Sequence, residues 1–205
     1  MKKVLTKKSK ELFSKLAEFS SFYLAGDTGL ALQLGHRVSV DFGLFSDEEI
    51  PKDFINKVED VFEGYSVKPL VNTRDELSVL VGGVKITFLY YPFPVLFDLV
   101  DFEGLKVLGK KEIGAAKAYS LGRRIAVKDY VDLYFLLRDD HLGLEELIDI
   151  ANKKFGEEFN SRLFLEQLVT LPDGENLKEV DFLDEKVDKD DLESFLSSLV
   201  DDFNI

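Results

Sequence analysis

Leu24-Ala25-Gly26-Asp27-Thr28-Gly29-Leu30 is the stretch that decides the fold, because it ends a short apolar strand pattern and opens a helical one. The helix is expected to run to Gly35, with Asp27 or Thr28 capping its start through a side-chain oxygen. A strand that ends in small residues before a helix presents free backbone amides, where a phosphate can bind. Many such turns bind nothing, so this pattern alone leaves both interpretations open.

The segment that follows predicts a neighbouring strand. Residues 38–45 alternate apolar residues with small or polar ones, which places Ser39, Asp41 and Gly43 on one face. A carboxylate buried beside valine and phenylalanine is costly unless a cation meets it, so a metal ion or Arg37 is the expected partner of Asp41. An edge-strand carboxylate that faces water is the alternative.

Over the rest of the sequence, strand patterns predominate in the first half and helical patterns in the second. Helices are expected over 7–19 and 51–63, extended segments over 65–72, 76–81 and 84–91, and later helices over 110–121, 127–138, 143–155, 159–168 and 189–203. We therefore predict an α/β (α+β) fold with a mixed sheet of about five strands and flanking helices. Residues 1–105 would form the α/β core, and residues 106–205 a helical C-terminal portion packed on it.

The charge distribution limits the class of ligand. The 205 residues carry 26 Lys and Arg against 39 Asp and Glu, a formal net charge of −13. A protein that coats nucleic acid needs a surplus of basic residues on its binding face, so general DNA coating is excluded. Residues 104–128 nevertheless hold seven basic side chains and one acidic one. This stretch is compatible with one focused site for an anion.

Cysteine is absent, which excludes disulfides, thiolate metal sites and cysteine nucleophiles. No apolar run approaches the roughly 20 residues of a membrane span, and no stretch of secretory length follows the basic start. We expect a protein of the cytoplasm that does not enter a membrane.

Two blocks of residues, in order and spacing, resemble the motifs of one family. The first block is the turn at Gly26–Thr28 followed by His36, Arg37, Ser39, Asp41, Phe42, Leu44 and Phe45; the second is Lys117 followed by Arg123, Arg124 and Lys128-Asp129-Tyr130-Val131-Asp132-Leu133. They look like the abortive-infection nucleotidyltransferases, the AbiEii/AbiGii toxin family of the DNA polymerase β-like superfamily. The resemblance spans about residues 20–140 and implies a nucleotidyltransferase-like fold.

The resemblance also implies roles for individual residues. In that family, metal ions held by acidic residues clamp a triphosphate and the attacking hydroxyl, so Mg²⁺ or Mn²⁺ and a nucleoside triphosphate are expected. The resemblance implies that Asp41 binds the metal ion, with Asp27 as a second ligand. Catalytic roles fall on Asp41, Lys117, Lys128 and Asp129, and nucleotide binding on Gly26, Asp27, Thr28, Arg37, Ser39, Arg123 and Arg124.

The chain departs from the family pattern at three positions. Gly43 stands where the second metal-binding aspartate is expected, Thr87 stands where the third is expected, and Asp27 replaces the second glycine of the turn. A single carboxylate does not hold two divalent cations, because Mg²⁺ requires several oxygen ligands. Asp27 could restore one ligand, but its charge would repel a triphosphate. We therefore predict a degenerate or altered active site.

Three functions follow from these observations. The first is a pseudoenzyme that binds a nucleotide or a tRNA-like RNA. The second is an active metal-dependent nucleotidyltransferase that transfers a nucleotide to RNA or protein, as the toxin of a two-component defence module with a cognate antitoxin. The third is a noncatalytic protein-interaction module. Residues 90–94, Tyr-Tyr-Pro-Phe-Pro, are either core and strand exit or a surface on which a base stacks.

Overall fold

A computed structural model describes residues 3–121, 123–124, 126–139, 141–171 and 177–203. Within these residues, seven strands form one mixed sheet: β1 (Tyr23–Ala25), β2 (Phe42–Ser46), β3 (Val67–Asn72), β4 (Glu76–Val81), β5 (Val84–Tyr90), β6 (Val100–Phe102) and β7 (Leu105–Val107). The helices are α1 (Lys7–Phe13), α2 (Gly26–Leu34), α3 (Phe54–Val61), α4 (Lys110–Ser120), α5 (Val127–Arg138), α6 (Leu144–Phe155), α7 (Ser161–Leu168) and α8 (Lys189–Asp201). The predicted α/β class is confirmed.

The strand order places β1, β2 and β5 near the middle of the sheet. The order is β3-β4-β5-β2-β1-β7-β6, with β2–β5 and β1–β7 parallel and the other pairs antiparallel. The described strands exceed the expected number of about five because β6 and β7 form a hairpin of three-residue strands. Strands so short show no alternation that a sequence pattern could reveal.

The strand predicted over residues 38–45 begins later than expected, at Phe42. The backbone amides of the preceding residues bond to distant segments instead: Val38 N donates to Asp181 O at 2.8 Å, and Ser39 N donates to Val4 O at 2.8 Å. Leu183 N also donates to His36 O at 3.0 Å. Val4 near the N-terminus and residues 181–183, which precede α8, therefore hold the segment 36–39, which leads into β2.

Two other local predictions need correction. The predicted helix over 7–19 divides into α1 and a tighter 3₁₀ turn over Ser14–Glu18. The helix α2 begins at Gly26, with Ala25 at its N-cap, so neither Asp27 nor Thr28 caps it. The side chains of these two residues bond outside the helix instead, as described below.

Each face of the sheet is covered by a separate apolar cluster of described residues. One face carries Leu24, Leu44 and Phe88 and packs against residues of α1 and α3. The other face carries Tyr23 and Ala25 and packs against the later helices. In β1, neighbouring residues join opposite clusters, as the two-residue period of a strand requires. The expected boundary at 105/106 falls inside β7, and the division into two domains stays a prediction.

Candidate functional site

A cavity of about 690 Å³ lies between α4, the start of α5 and the face of the sheet that carries Ala25, Gly43 and Thr87. Its volume is typical of a pocket for a small molecule. The predicted site residues that line it are Gly26, Asp27, Thr28, Arg37, Ser39, Asp41, Lys117, Arg124 and Lys128. The two remaining predicted residues, Asp129 and Arg123, lie next to this lining. The sequence therefore predicts most of one contiguous wall.

The turn at the start of α2 opens into this cavity. Gly26 adopts a φ of 62°, a left-handed conformation in which a side chain would be strained. The Thr28 hydroxyl donates to the Asp41 carbonyl and lies 2.6 Å from Ser39 Oγ. These bonds fix the turn against the segment that leads into β2. The first backbone amides of α2 have no partner within the helix, so they are available to an anion.

Lys117 is the centre of a buried network of charges beneath the cavity. Its Nζ lies 2.7 Å from Asp27 Oδ1, 2.7 Å from Asp129 Oδ1 and 2.5 Å from Asp132 Oδ2. The Lys117 side chain is 2% exposed. An ammonium group has three protons to donate, so these carboxylates can accept all of them.

Arg37 and His36 complete the network around Asp132. Arg37 Nε and Nη2 donate to the two oxygens of Asp132 at 2.7 and 2.8 Å, and Arg37 Nη2 also lies 3.0 Å from Asp27 Oδ2. His36 Nε2 lies 2.7 Å from Asp132 Oδ1, while the buried His36 Nδ1 has no hydrogen-bond partner in the described structure. We therefore assign the ring proton to Nε2, because a proton on Nδ1 would be left unpaired.

Arg124 covers the network from the solvent side. Its Nε and Nη2 donate to the two oxygens of Asp129, each at 2.8 Å. We call the group Asp27, His36, Arg37, Lys117, Arg124, Asp129 and Asp132 the charge cage. Within these residues three carboxylates meet three permanent cations, so the cage is neutral when His36 is neutral. Such balance is what allows charges to be buried.

The cage shifts the pKa values of its own members. Burial works to raise the pKa of Asp132, but the charges of Lys117 and Arg37 and the hydrogen bonds from His36 and Arg37 hold that pKa well below its usual range. Burial also works against Asp27, whose pKa is nevertheless lowered by Lys117 and Arg37. Burial works to lower the pKa of Lys117, yet the three carboxylates raise it. All three side chains are therefore ionised at neutral pH.

Asp132 is the site residue that the sequence reasoning missed as a functional residue. It is fully buried, and it joins α5 to α4 and to the segment before β2. A signal was present in the sequence, because Asp129 and Asp132 stand three residues apart and share one face of a helix that is otherwise mostly apolar. Two acids on a buried face require buried cations, and Lys117 and Arg37 supply them.

The cage does not fit a divalent metal ion. Asp27, Asp129 and Asp132 each offer an oxygen, and these oxygens lie within 4.8 Å of one another. However, the Lys117 ammonium contacts all three carboxylates, so a protein cation already occupies the place of a metal. Both oxygens of Asp27 are held by cations as well, one by Lys117 and the other by Arg37.

The positions expected to hold the other metal ligands carry no carboxylate. Gly43 and Thr87 are direct partners in the β2–β5 register, and both line the cavity. The Thr87 hydroxyl lies 2.9 Å from the Ser78 hydroxyl on β4. Asp41 is exposed at the cavity wall. This donor set does not meet the several oxygen ligands that a pair of divalent cations requires.

Two cavity-lining cations are not neutralised by the cage. Lys85 on β5 and Lys128 at the start of α5 both line the cavity, and neither forms an ion pair within the described residues. The Arg123 guanidinium stacks 3.8 Å above the Tyr119 ring and donates to Glu158 O at 2.6 Å, and its role in nucleotide binding stays a prediction. Lys85 was missed because nothing in its sequence context separates it from a surface lysine.

One end of the cavity is aromatic. Phe45, Leu89, Tyr91 and Tyr119 line it, and the three rings are half-buried. Acidic residues also line the cavity at other places, namely Glu76, Glu179 and Asp181. The cavity therefore combines cations, a helix start and an aromatic surface.

Comparison with known proteins places the fold. No family model matches the chain. A candidate nucleotidyltransferase from H. pylori superposes with a TM-score of 0.64 at 15% identity, covering 96% of this chain and 94% of that one. JHP933 from Helicobacter pylori superposes with a TM-score of 0.64 at 16% identity, covering 96% of this chain and 92% of that one. These similarities confirm a nucleotidyltransferase-like fold, whereas membership of the AbiEii/AbiGii family stays a prediction.

No helix in the described part of the chain has the length and apolar character needed to cross a bilayer.

The sequence is also similar to the uncharacterized protein aq_aa25 of Aquifex aeolicus, with 33% identity over 156 residues, which covers 74% of this chain and 76% of that protein. The chain belongs to the same family as aq_aa25.

Proposed function

We propose that this protein binds a nucleotide in the cavity and does not transfer it. The observation that carries the proposal is the combination of two unneutralised lysines, Lys85 and Lys128, with Gly43 and Thr87 at the expected metal positions. The lysines and the start of α2 attract a phosphate chain. The missing carboxylates remove the ions that nucleotidyl transfer uses to stabilise developing charge.

Asp27 does not prevent phosphate binding in this proposal. Its charge is balanced within the cage by Lys117 and Arg37, so it presents less net negative charge to the cavity than a free carboxylate would. The resemblance had suggested Asp27 as a substitute metal ligand. We propose instead that Asp27 orients Lys117 and Arg37 beneath the phosphates.

The first experiment measures thermal stabilisation by ATP, GTP, CTP and UTP, each with Mg²⁺ and with EDTA. A ligand that binds only the folded state raises the melting temperature. We expect the increase in EDTA to equal the increase with Mg²⁺. Lys85→Ala and Lys128→Ala should each weaken binding, and Lys68→Ala on the exposed strand β3 is the matched control.

The second experiment asks whether the protein transfers nucleotides. Incubation with α-labelled nucleoside triphosphates, Mn²⁺ and total RNA should label neither the RNA nor the protein. Label that appears with the wild type and disappears with Asp41→Ala would establish the alternative, an active nucleotidyltransferase. Absence of stabilisation by every nucleotide would reject both. A tRNA-like acceptor, a toxin role and a cognate antitoxin remain predictions of the family resemblance.

A further inference from the structure

The aromatic end of the cavity belongs to a continuous set of ring contacts. The Phe45 and Tyr91 ring centroids are 4.8 Å apart, Tyr91 and Phe93 are 4.9 Å apart, and Phe93 and Tyr119 are 5.6 Å apart. Tyr119 stacks on Phe155 at 4.1 Å with an interplanar angle of 13°. The rings support one another. Arg123 and Phe155 cover the two faces of Tyr119, so the half-buried Phe45 and Tyr91 rings are the ones that offer a surface to the cavity.

The Phe45 ring lies close to the position of a side chain that this sequence lacks. A Cβ atom built on Gly43 would lie 3.3 Å from Phe45 Cε1. The absence of a side chain at Gly43 therefore makes room for an aromatic ring near the place where a carboxylate was expected. The floor of the cavity at this point is apolar instead of acidic.

The aromatic end is adjacent to the phosphate end. Gly43 is the register partner of Ala25, which directly precedes the turn at Gly26. Phe45 lies two residues farther along β2, which corresponds to about 7 Å. If the phosphates of a ligand bind at the turn, the group attached to the phosphates extends along β2, and a ring beyond that group lies over Phe45 and Leu89.

Two polar groups near this end of the cavity are already engaged by other side chains of the protein. The Tyr119 hydroxyl already donates to Glu158 Oε2 at 2.7 Å. Glu76, which shares a row of the sheet with Leu89 and Phe45, lies one strand beyond Leu89 and accepts the Ser78 hydroxyl at 2.5 Å. A ring seated here makes contact mainly through its face.

We infer that this aromatic end is a base-stacking subsite that accepts nucleobases of any kind, so that affinity follows stacking surface and not base identity. The inference rests on the proposed nucleotide binding and adds the orientation and selectivity of the ligand. Stacking on aromatic side chains tolerates all bases, because every base has a π-face. ATP and GTP should therefore bind with similar affinity, and both should bind more tightly than CTP and UTP.

The test is calorimetric titration of the full chain, in EDTA, with the four nucleoside triphosphates and with inorganic tripolyphosphate. The purine nucleotides should bind about tenfold more tightly than tripolyphosphate, the effect of one stacked base. Tyr91→Leu keeps an apolar side chain but removes the ring, so it should reduce the affinity for nucleotides and leave that for tripolyphosphate unchanged. Tyr65→Leu, outside the cavity, is the matched control.

Each outcome decides the question. Equal affinity for tripolyphosphate and ATP would overturn the subsite while leaving phosphate binding intact, whereas no binding of any probe would overturn the proposed function as well. A preference of more than a hundredfold for one base, or a Glu76→Gln variant that changes the order of the nucleotides, would overturn recognition by stacking. If Tyr91→Leu does not fold, the wild-type ligand series alone distinguishes these outcomes.

Discussion

Lys117 shows how a single side chain can take the place of a bound ion. Its ammonium group contacts three carboxylates from α2 and α5, and it is almost completely buried. Burial of an isolated ammonium would be prohibitive, so the lysine is stable at this position only together with its three acids. The family resemblance pointed to Lys117 as a catalytic residue, and the structure adds this ion-pair geometry.

Replacement of Lys117 by methionine should destabilise the protein strongly. The change keeps the length of the side chain but leaves three buried carboxylates with one fewer cation, at a cost of about 3–5 kcal/mol. Urea unfolding measures the loss. Lys111→Met, which removes a half-exposed ion pair with Glu146, is the control and should change stability little. Equal losses for the two variants would contradict the buried-ion-pair interpretation.

Stability should also fall at acidic pH because of the cage. The pKa values of Asp27 and Asp132 are lowered in the folded state, so their contribution is present above the unfolded pKa near 3.9 and is lost as pH falls through the lower folded pKa. The urea midpoint is therefore expected to decrease below about pH 4. Asp132→Asn should lower stability at pH 7 and flatten this acid dependence. An unchanged acid slope in the variant would show that other acids cause the loss.

The residues of the cage were only partly predictable. The family resemblance marked Lys117 and Asp129, and Arg37 was expected as a partner of Asp41, with a metal ion or water as the alternatives. The partner predicted for Arg37 was Asp41, whereas its observed partners are Asp132 and Asp27. A pattern gives the face of a helix or strand on which a residue lies. It does not identify which acidic residue, distant in the sequence, contacts that face.

At the scale of elements, α4 is placed by a close approach to its neighbours. A Cβ atom built on Gly114 would clash with Leu136 on α5 and lie 3.2 Å from Leu147 on α6. The glycine therefore allows three helices to pack closely around the wall that carries Lys117. Helix propensity alone would favour alanine at this position by about 1 kcal/mol, so packing outweighs propensity here.

Gly114→Ala should destabilise the protein despite its better helix propensity. Leu136 is fully buried and cannot move aside freely, so the overpacking should cost about 1–3 kcal/mol. Thermal unfolding with circular dichroism measures the change. Gly143→Ala at the start of α6 adds the same methyl group in open space and should have a small effect. A stabilised Gly114→Ala variant would show that α4 shifts without cost.

The accuracy of the predicted elements depended on where their hydrogen bonds go. The helix α5 was predicted to the residue, over 127–138, because its bonds are local and its apolar spacing is regular. The strand over 38–45 was placed too early, because the Val38 and Ser39 amides bond to Asp181 and Val4. No local pattern records such long-range partners, and for the same reason the short hairpin of β6 and β7 could not be predicted.

At the scale of the whole molecule, the cage joins α2 and the segment before β2 to the helices α4 and α5. Arg37 and Asp27 belong to the N-terminal half, while Lys117, Asp129 and Asp132 belong to α4 and α5. The apolar cluster on the same face also includes Tyr23 and Ala25 of β1. The two halves therefore share both an ionic network and a core.

We expect the chain to unfold in a single cooperative transition. In urea, the tyrosine emission, which no tryptophan obscures, and the far-ultraviolet circular dichroism should give coincident curves. Calorimetric and van't Hoff enthalpies should agree for the same reason. Two resolved transitions would instead support independent domains on either side of residue 105.

The contacts of segment 36–39 with Val4 and Asp181 bear on the order of events during synthesis. Val4 is synthesised before this segment, but the Asp181 carbonyl that accepts from Val38 N does not exist until all the strands and the helices up to α7 have been synthesised. Arg37 lies in this segment, and its side chain joins Asp132 and Asp27. At roughly 5–20 residues per second, the cavity wall therefore remains incomplete for several seconds after β2 has emerged. A nascent chain that has not yet reached residue 181 therefore cannot hold Val38 and Arg37 as the folded protein does.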